Sequence, residues 1–146
     1  MPELPEVETI ARQLDRVLRG RWIKKVEVLR RVSFQGDEKK LEGAEIEKVD
    51  RHAKVIVWHL RSVDLMVMIH LKMTGQLVFD EKKKVGLEEH AVVGGHPSDD
   101  WLKKHPTKHT RVVVYFDDGG VLYFNDLRVF GWMKLMEKKE FEKKME

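Results

Sequence analysis

The first twenty residues carry apolar side chains at spacings of three and four, which is typical of an amphipathic helix. Pro5 suits the first turn, where its missing N–H costs no hydrogen bond, and Gly20 favours termination. Glu6 and Glu8 lie near the positive end of the helix dipole. The apolar positions that share one face are Val7, Ile10, Ala11, Leu14, Val17 and Leu18. This pattern predicts an N-terminal helix packed on a core.

After Gly20 the pattern changes to alternating and β-branched runs, which indicate strands. The predicted strands cover residues 22–29, 41–50, 53–60, 65–71, 76–79, 111–116, 121–125 and 132–136. The run Asp117-Asp118-Gly119-Gly120 predicts a hairpin turn, and the charged segment 137–146 predicts a helix anchored by Phe141. Together the elements predict an α+β fold, an antiparallel β-sandwich or a barrel with an N-terminal helix and a flanking C-terminal helix.

Residues 80–108 break this pattern with three consecutive lysines, a Gly-Gly pair and two prolines. His90, His96 and His105 lie within the stretch, and His109 follows it. A long solvated loop is the favoured interpretation. A metal site formed by these imidazoles is the alternative, although their spacing matches no standard ligand pattern.

Composition narrows the class of protein but not its function. The 146 residues suit one domain, and charged residues reach 36%, against about 25% in an average domain. The net charge of +3 tolerates an anionic partner without requiring one. The absence of cysteine excludes disulfides, thiol catalysis and cysteine-ligated zinc in this sequence. With no long apolar run and an acidic start, we expect a soluble domain of a reducing compartment, with no membrane partner.

The N-terminus carries the first candidate chemistry. Pro2 is small enough for Met1 to be removed, which leaves a secondary amine at the start of the chain. An α-amino group titrates near pH 7.7–8.0, so an appreciable fraction is neutral and able to attack an electrophilic carbon. Glu3 lies beside it and Glu6 one helical turn further, where carboxylates could relay protons. The alternative is that Pro2 and Glu3 only cap the helix.

The order of these residues resembles a known family. Residues 2–9, PELPEVET, resemble the N-terminus of the formamidopyrimidine-DNA glycosylases, which repair oxidised purines. The endonuclease VIII branch typically has Gly at the position of Leu4, so the resemblance to the formamidopyrimidine branch is closer. Residues 51–54 (RHAK), 70–75 (HLKMTG) and 124–131 (FNDLRVFG) resemble the family's RxxK, HLGMTG and YNDPRRFG segments in the same order.

The resemblance implies roles for individual residues. Pro2 is expected to attack C1′ of a flipped damaged nucleotide, with Glu3 as the general acid that opens the sugar ring and Glu6 in support. Lys54 and His70 are expected to hold phosphates around the lesion. We count Lys54 with the catalytic residues. The imine formed at Pro2 would lead to β,δ-elimination. A satisfied strand-end histidine is the alternative interpretation of His70.

A second group of residues is implied in DNA binding. Met73, Arg128 and Phe130 match the residues that fill the hole left by the flipped base, and Arg51 is expected to contact the DNA backbone. Without the motif, Met73 and Phe130 would be read as core residues. The sequence departs from the family's segments at Lys72, which replaces Gly, at Leu127, which replaces Pro, and at Val129, which replaces Arg. If that Gly needs a positive φ, the loop at Lys72 must be reshaped, although the added cation could meet a phosphate.

The resemblance also implies a domain division. Residues 1–136 are expected to form the N-terminal catalytic β-sandwich, and residues 137–146 the start of a hinge to a second half with a four-cysteine zinc finger. No metal or cofactor is therefore expected in this chain. The expected partner is double-stranded DNA with an oxidised base or an abasic site. The expected protein is a monomer of bacterial type, cytoplasmic and associated with the nucleoid.

Two rival hypotheses remain open. The chain could be a non-catalytic DNA-binding fragment that grips the backbone through Arg51, Lys54, His70 and Arg128. It would be inactive if its second half is absent, or if Met1 is retained and the Pro2 nitrogen is an amide. The other hypothesis is a purely structural β-sandwich.

Overall fold

The computed structural model describes residues 3–81, 90–95 and 106–144. The helices are α1 (Leu4–Leu18) and α2 (Lys138–Lys144). The strands are β1 (Ile23–Val28), β2 (Phe34–Gln35), β3 (Glu45–His52), β4 (Val55–Arg61), β5 (Leu65–His70), β6 (Gly75–Asp80), β7 (His90–Gly95), β8 (Thr110–Phe116), β9 (Val121–Asp126) and β10 (Trp132–Glu137). Short 3-10 helices occupy Arg31–Ser33 and Glu38–Leu41.

The strands form two five-stranded sheets, with the orders β1-β8-β9-β6-β7 and β2-β10-β5-β4-β3. Neighbouring strands are antiparallel except β2 and β10, whose short contact is parallel. Trp58 and Phe34 of one sheet and Phe79 and Phe116 of the other lie in one buried cluster. Each such side chain contributes about 1.5–3 kcal/mol when it leaves water. The sheets therefore pack face to face, which confirms the predicted α+β β-sandwich.

Helix α1 packs its apolar face on β3, β4 and β7, as its spacing predicts. The fully buried positions are Val7, Ile10, Ala11, Leu14 and Leu18. Asp15 accepts a hydrogen bond from the Val49 N–H at 2.8 Å, which ties the helix to β3. Gly20 has a φ of +84° and donates its N–H to Ile46 O at 2.8 Å, so the chain turns there into the sheet. This packing fixes the direction in which the N-terminal turn of α1 points.

Helix α2 confirms the predicted C-terminal helix and its anchor. The Phe141 ring meets His52 edge to face at 5.9 Å between centroids. Lys138 donates from Nζ to Leu60 O at 3.0 Å, which joins the start of α2 to the end of β4. Neither described helix is long and apolar enough to span a membrane.

Three segments differ from the strand assignment made on the sequence, one of them the two-residue strand β2, which was not predicted. The strand predicted over 41–50 begins only at Glu45, because Leu41 ends a 3-10 helix and Gly43 turns the chain with a φ of +83°. The predicted loop 80–108 contains β7, which pairs antiparallel with β6. The free edge of β6 supplies the hydrogen bonds of β7, and no local pattern signals such a partner. Residues 82–89 and 96–105 of that predicted loop lie outside the described residues.

Candidate functional site

Two loops at one end of the sandwich are held together by a buried carboxylate. Residues 71–74 follow β5, and residues 127–131 follow β9. Asp126 is fully buried and accepts hydrogen bonds from the Thr74 hydroxyl and, at 2.6 Å, from the Gly131 N–H. Thr74 in turn accepts from the Arg128 N–H at 3.1 Å. The two loops therefore behave as one rigid unit.

Gly131 lets the two loops approach closely. A Cβ at this position would lie 2.9 Å from His70 O and 3.0 Å from Asp126 Oδ2. Any larger residue would push the second loop away from the end of β5. Arg111 adds a further clamp, because its Nε donates to Asp126 O at 2.8 Å.

The joined loops present apolar side chains to solvent. Met73 is 50% exposed, Phe130 57% and Leu127 42%, and Arg128 is exposed beside them. Exposed large apolar groups on a braced loop pair are unusual for a packed core and typical of a contact surface. The structure thus rules out the core interpretation of Met73 and Phe130. Their part in filling a DNA hole stays a prediction.

A shallow cleft lies between the first of these loops, the β3–β4 turn and the first turn of α1. Its lining residues are Val7, Lys54, Ile56, His70, Leu71 and Lys72. Lys54 lies in the turn between β3 and β4, next to Ala53, which has a φ of +52°. Lys72 stands where the resembled motif has Gly, and its φ of +50° is a conformation that favours glycine. The cleft gathers two lysines and a histidine from two separate sequence segments, the β3–β4 turn and the end of β5.

The ring of His70 is held in one tautomer when it is neutral. Its Nδ1 accepts a hydrogen bond from the Lys72 N–H at 3.0 Å, so the ring proton lies on Nε2. Burial, and then the charges of Lys72 and Lys54, lower the pKa of His70 from its ordinary value. Trp132 lies beside the ring at 5.7 Å between centroids. His70 is therefore a neutral N–H donor at pH 7.

The two cleft lysines have no ionic partner among the described residues. Neither the Lys54 nor the Lys72 ammonium forms a hydrogen bond or ion pair with residues 3–81, 90–95 or 106–144. Arg51 differs, because its Nε donates to Glu8 at 3.0 Å and its guanidinium also reaches Ala53 O at 3.3 Å. Arg51 thus joins α1 to the β3–β4 turn. Its predicted contact with DNA has to compete with this ion pair.

The N-terminal turn of α1 borders the same cleft. Val7 lines the cleft and donates its N–H to Glu3 O at 3.0 Å. Glu3 occupies the N-cap position, but its side chain makes no capping hydrogen bond. The carboxylates of Glu3 and Glu6 are both exposed. The Glu3 carboxylate is therefore not engaged in a capping hydrogen bond. Pro2 lies outside the described residues.

The sequence did not single out Thr74 or Asp126, although both lie within the quoted motifs. A short polar residue at a strand end is a weak signal, since it usually indicates a turn. Burial of the Asp126 carboxylate becomes visible only once the two sheets pack. For the histidine metal hypothesis, no group of three or more His, Asp or Glu side chains in the described part of the chain could hold a metal. The side chains of His90, His96 and His105 lie outside that part.

Comparison with solved structures defines the class of fold. The chain superposes on Lactococcus lactis Fpg in complex with DNA containing an abasic site, with a TM-score of 0.77 and 24% identity over 99% of this chain and 47% of that one. A mutant of the same protein with Fapy-dG DNA gives the same TM-score and identity. The fold is thus the one seen in part of this DNA-bound protein.

The family model for the formamidopyrimidine-DNA glycosylase N-terminal domain matches residues 1–133, and the chain belongs to this family. Formamidopyrimidine-DNA glycosylase of Ligilactobacillus salivarius is 35% identical over 141 residues, which are 94% of this chain and 44% of the relative. The protein of the same name from Dinoroseobacter shibae is 36% identical over 146 residues, covering 97% and 47%. The chain spans about half the length of the curated relatives it matches. The predicted family is confirmed.

Proposed function

We propose that this chain is the N-terminal catalytic domain of a bifunctional DNA glycosylase and abasic-site lyase that excises oxidised purines such as 8-oxoguanine and formamidopyrimidines. The observation that carries the proposal is the meeting of three features at one end of the sandwich. They are the first turn of α1, the cleft of Lys54, His70 and Lys72, and the exposed loop pair braced by Asp126. Family membership and the DNA-bound relatives support it.

The proposed chemistry starts at the amine of Pro2 once Met1 is removed. Its neutral nitrogen forms a bond to C1′ of the damaged nucleotide and loses its own proton, while the glycosidic bond breaks and the base leaves with the electron pair of that bond and gains a proton in exchange. Glu3 donates a proton to the ring oxygen, and the sugar opens to an iminium. The exposed Glu3 carboxylate, which makes no capping bond, is available for this transfer.

Strand cleavage follows from the iminium. The cation acidifies C2′, whose proton leaves as the bond to the 3′ phosphate breaks, which is β-elimination. A second proton loss expels the 5′ phosphate, and water then hydrolyses the iminium and frees Pro2. The residues on which this chemistry depends come from the chain itself, so no cofactor is invoked for it.

The cationic cleft and the loop pair supply binding. Lys54 as a compact cation and His70 as an N–H donor would hold the phosphates that flank the lesion. Extrusion of a base costs a few kcal/mol of stacking and pairing. Met73, Phe130 and Arg128 on the braced loops would fill the hole and meet the orphaned base. The partner is therefore double-stranded DNA with an oxidised base or an abasic site, bound by a monomer of a bacterial nucleoid enzyme.

Binding without turnover is the second candidate. The cleft lysines carry their charge whether or not Met1 is removed, whereas the nucleophile exists only without Met1. A polypeptide that retains Met1 would still bind DNA through the cleft. Whether the polypeptide can catalyse the reaction or can only bind DNA therefore depends on the removal of Met1.

The test compares the same polypeptide with and without Met1, each form verified by intact mass. Both are incubated with a duplex that carries an abasic site and treated with borohydride, which reduces an iminium to a stable amine. We expect a covalent adduct only in the form that begins at Pro2. An adduct of equal yield in both forms would assign the nucleophile to another amine. Binding without an adduct in the Pro2 form would establish the non-catalytic candidate.

A further inference from the structure

We propose that Lys72 is a third phosphate-binding group of the cleft, acting beside Lys54 and His70 on a backbone phosphodiester of the bound DNA. The inference rests on the proposed DNA binding and adds a residue that the family motif does not supply, since that motif has Gly here. The proposal depends on three observations, which are the backbone conformation of Lys72, its contact with His70 and the charge balance of the cleft.

The backbone of Lys72 adopts a conformation that costs free energy. Its φ of +50° lies in the left-handed region, where a residue with a Cβ is less stable than glycine by about 1 kcal/mol or more. The surroundings enforce this conformation, because Gly75 donates to Leu71 O at 2.9 Å and so closes the turn that contains Lys72. A lysine at this position destabilises the fold. The proposed phosphate contact would explain why lysine is found here, because it would contribute to DNA binding.

The same backbone conformation fixes the neighbouring histidine. The Lys72 N–H is directed at Nδ1 of His70, at 3.0 Å, which leaves the ring proton on Nε2. Lys72 thus lines the cleft and also fixes the tautomer of its neighbour. An anion in the cleft would be met by two ammonium groups and one imidazole N–H, all of them donors.

The charge balance favours an anionic ligand. Lys54 and Lys72 both line the cleft and are only partly exposed, and neither pairs with a carboxylate within the described ranges. On the first turns of α1, Glu8 is engaged by Arg51 and Arg12 at 3.0 and 3.2 Å, and neither Glu3 nor Glu6 forms an ion pair with a cleft lysine in the described part of the chain. Two neighbouring cations repel each other, and a phosphodiester would relieve that repulsion. At the opposite end of the sandwich, by contrast, Arg21 forms ion pairs with Glu81 and Asp118.

The test measures how affinity for an abasic-site duplex depends on salt. Each phosphate contact contributes about 0.9 to the slope of log K against log salt, so Lys72→Gln should lower the slope by about 1. Lys25→Gln is the matched control. Lys25 is an exposed residue of β1. It lies opposite Tyr115 of β8, at the end of the sheet that is far from Asp126. We expect its slope to equal that of the wild type.

A second pair of variants separates the backbone from the side chain. Lys72→Gly should raise the Tm by about 3 °C, because glycine relieves the left-handed strain, while it lowers the salt slope as Lys72→Gln does. Ser62→Gly removes a similar strain, at a φ of +63°, without removing a charge, in the β4–β5 turn at the other end of β5 from His70. It should raise the Tm and leave the slope unchanged.

The outcomes are distinct from those of the proposed chemistry. Equal slopes for Lys72→Gln and Lys25→Gln would overturn the role of Lys72, even where the wild type forms the borohydride adduct. A lowered slope in Lys72→Gln, together with no adduct in the wild type, would support the phosphate contact and overturn only the catalysis. A wild-type affinity that does not change with salt would overturn the phosphate contacts of Lys72 and Lys54 alike, whatever the borohydride test shows.

Discussion

The hydroxyl of Thr74 donates a hydrogen bond to the buried carboxylate of Asp126, which lies 52 residues further along the chain. The same carboxylate accepts from the Gly131 N–H at 2.6 Å, and Thr74 accepts from the Arg128 N–H at 3.1 Å. One side-chain pair thus sets the spacing between the two loops that carry Met73 and Phe130. A contact surface can only fit its partner if such loops do not move independently.

Asp126→Asn should therefore destabilise the fold by about 2 kcal/mol or more. The amide can accept only through one oxygen, so either Thr74 or Gly131 loses its acceptor in a buried site. Thr74→Val should cost about 1.5 kcal/mol, and the double variant should cost less than the sum. Urea denaturation of the four proteins gives the coupling. Additive effects would show that the two residues act separately.

The braced loops should tolerate loss of their apolar tips without loss of stability. Met73→Ala and Phe130→Ala should change the free energy of unfolding by no more than about 0.5 kcal/mol, because both side chains are half exposed. Each should weaken binding to an abasic-site duplex by about tenfold if it occupies the hole beside the lesion. Phe124→Ala is the contrasting variant, since this buried ring should cost about 3–5 kcal/mol. Unchanged affinity in both tip variants would contradict the filling role.

The lowered pKa of His70 predicts a loss of stability in mild acid. Between that lowered pKa and the ordinary value near 6.5, the unfolded chain binds more protons than the folded one, so unfolding becomes easier as the pH falls. Above about pH 7 the ring is neutral in both states and contributes no slope. Urea midpoints measured from about pH 7.5 to 5.5 should decline in the wild type and decline less in His70→Gln.

His52→Gln is the matched control for this measurement. His52 is exposed and lies outside the cleft, where its ring contacts Phe141. Its variant should retain the decline that we assign to His70. An identical decline in all three proteins would place the responsible group elsewhere.

Arg51 and Lys54 are close in sequence but should differ in their effect on DNA binding. Lys54→Gln should lower the salt slope by about 1, whereas Arg51→Gln should lower it less, because Glu8 already pairs with Arg51 at 3.0 Å. The ion pair is partly exposed, so its loss should cost no more than about 1 kcal/mol of stability. Glu8→Gln should release Arg51 and make the slope steeper. A larger slope change in Arg51→Gln than in Lys54→Gln would contradict this assignment.

Local patterns determined the elements whose stabilising contacts are close in sequence. Helix α1 follows from its apolar spacing and from Gly20, and the hairpin between β8 and β9 from Asp117-Asp118-Gly119-Gly120, where Phe116 accepts from Gly119 and donates to Gly120. The order of four motifs also predicted the family, and the match over residues 1–133 confirmed it. These features depend on spacing along the chain, which the sequence displays directly.

Only the tertiary structure decided which distant residues meet. Strand β7 forms because the edge of β6 is free to pair, and β2 lies parallel to β10 across nearly one hundred residues. Asp126 accepts from Thr74 in a buried site, and Glu8 pairs with Arg51, only when the sheets and α1 have packed. Each of these contacts joins elements whose relative position depends on the whole core. The amino-acid sequence predicted which residues are candidates for catalysis and DNA binding. Packing determined which of those side chains are already engaged by other residues.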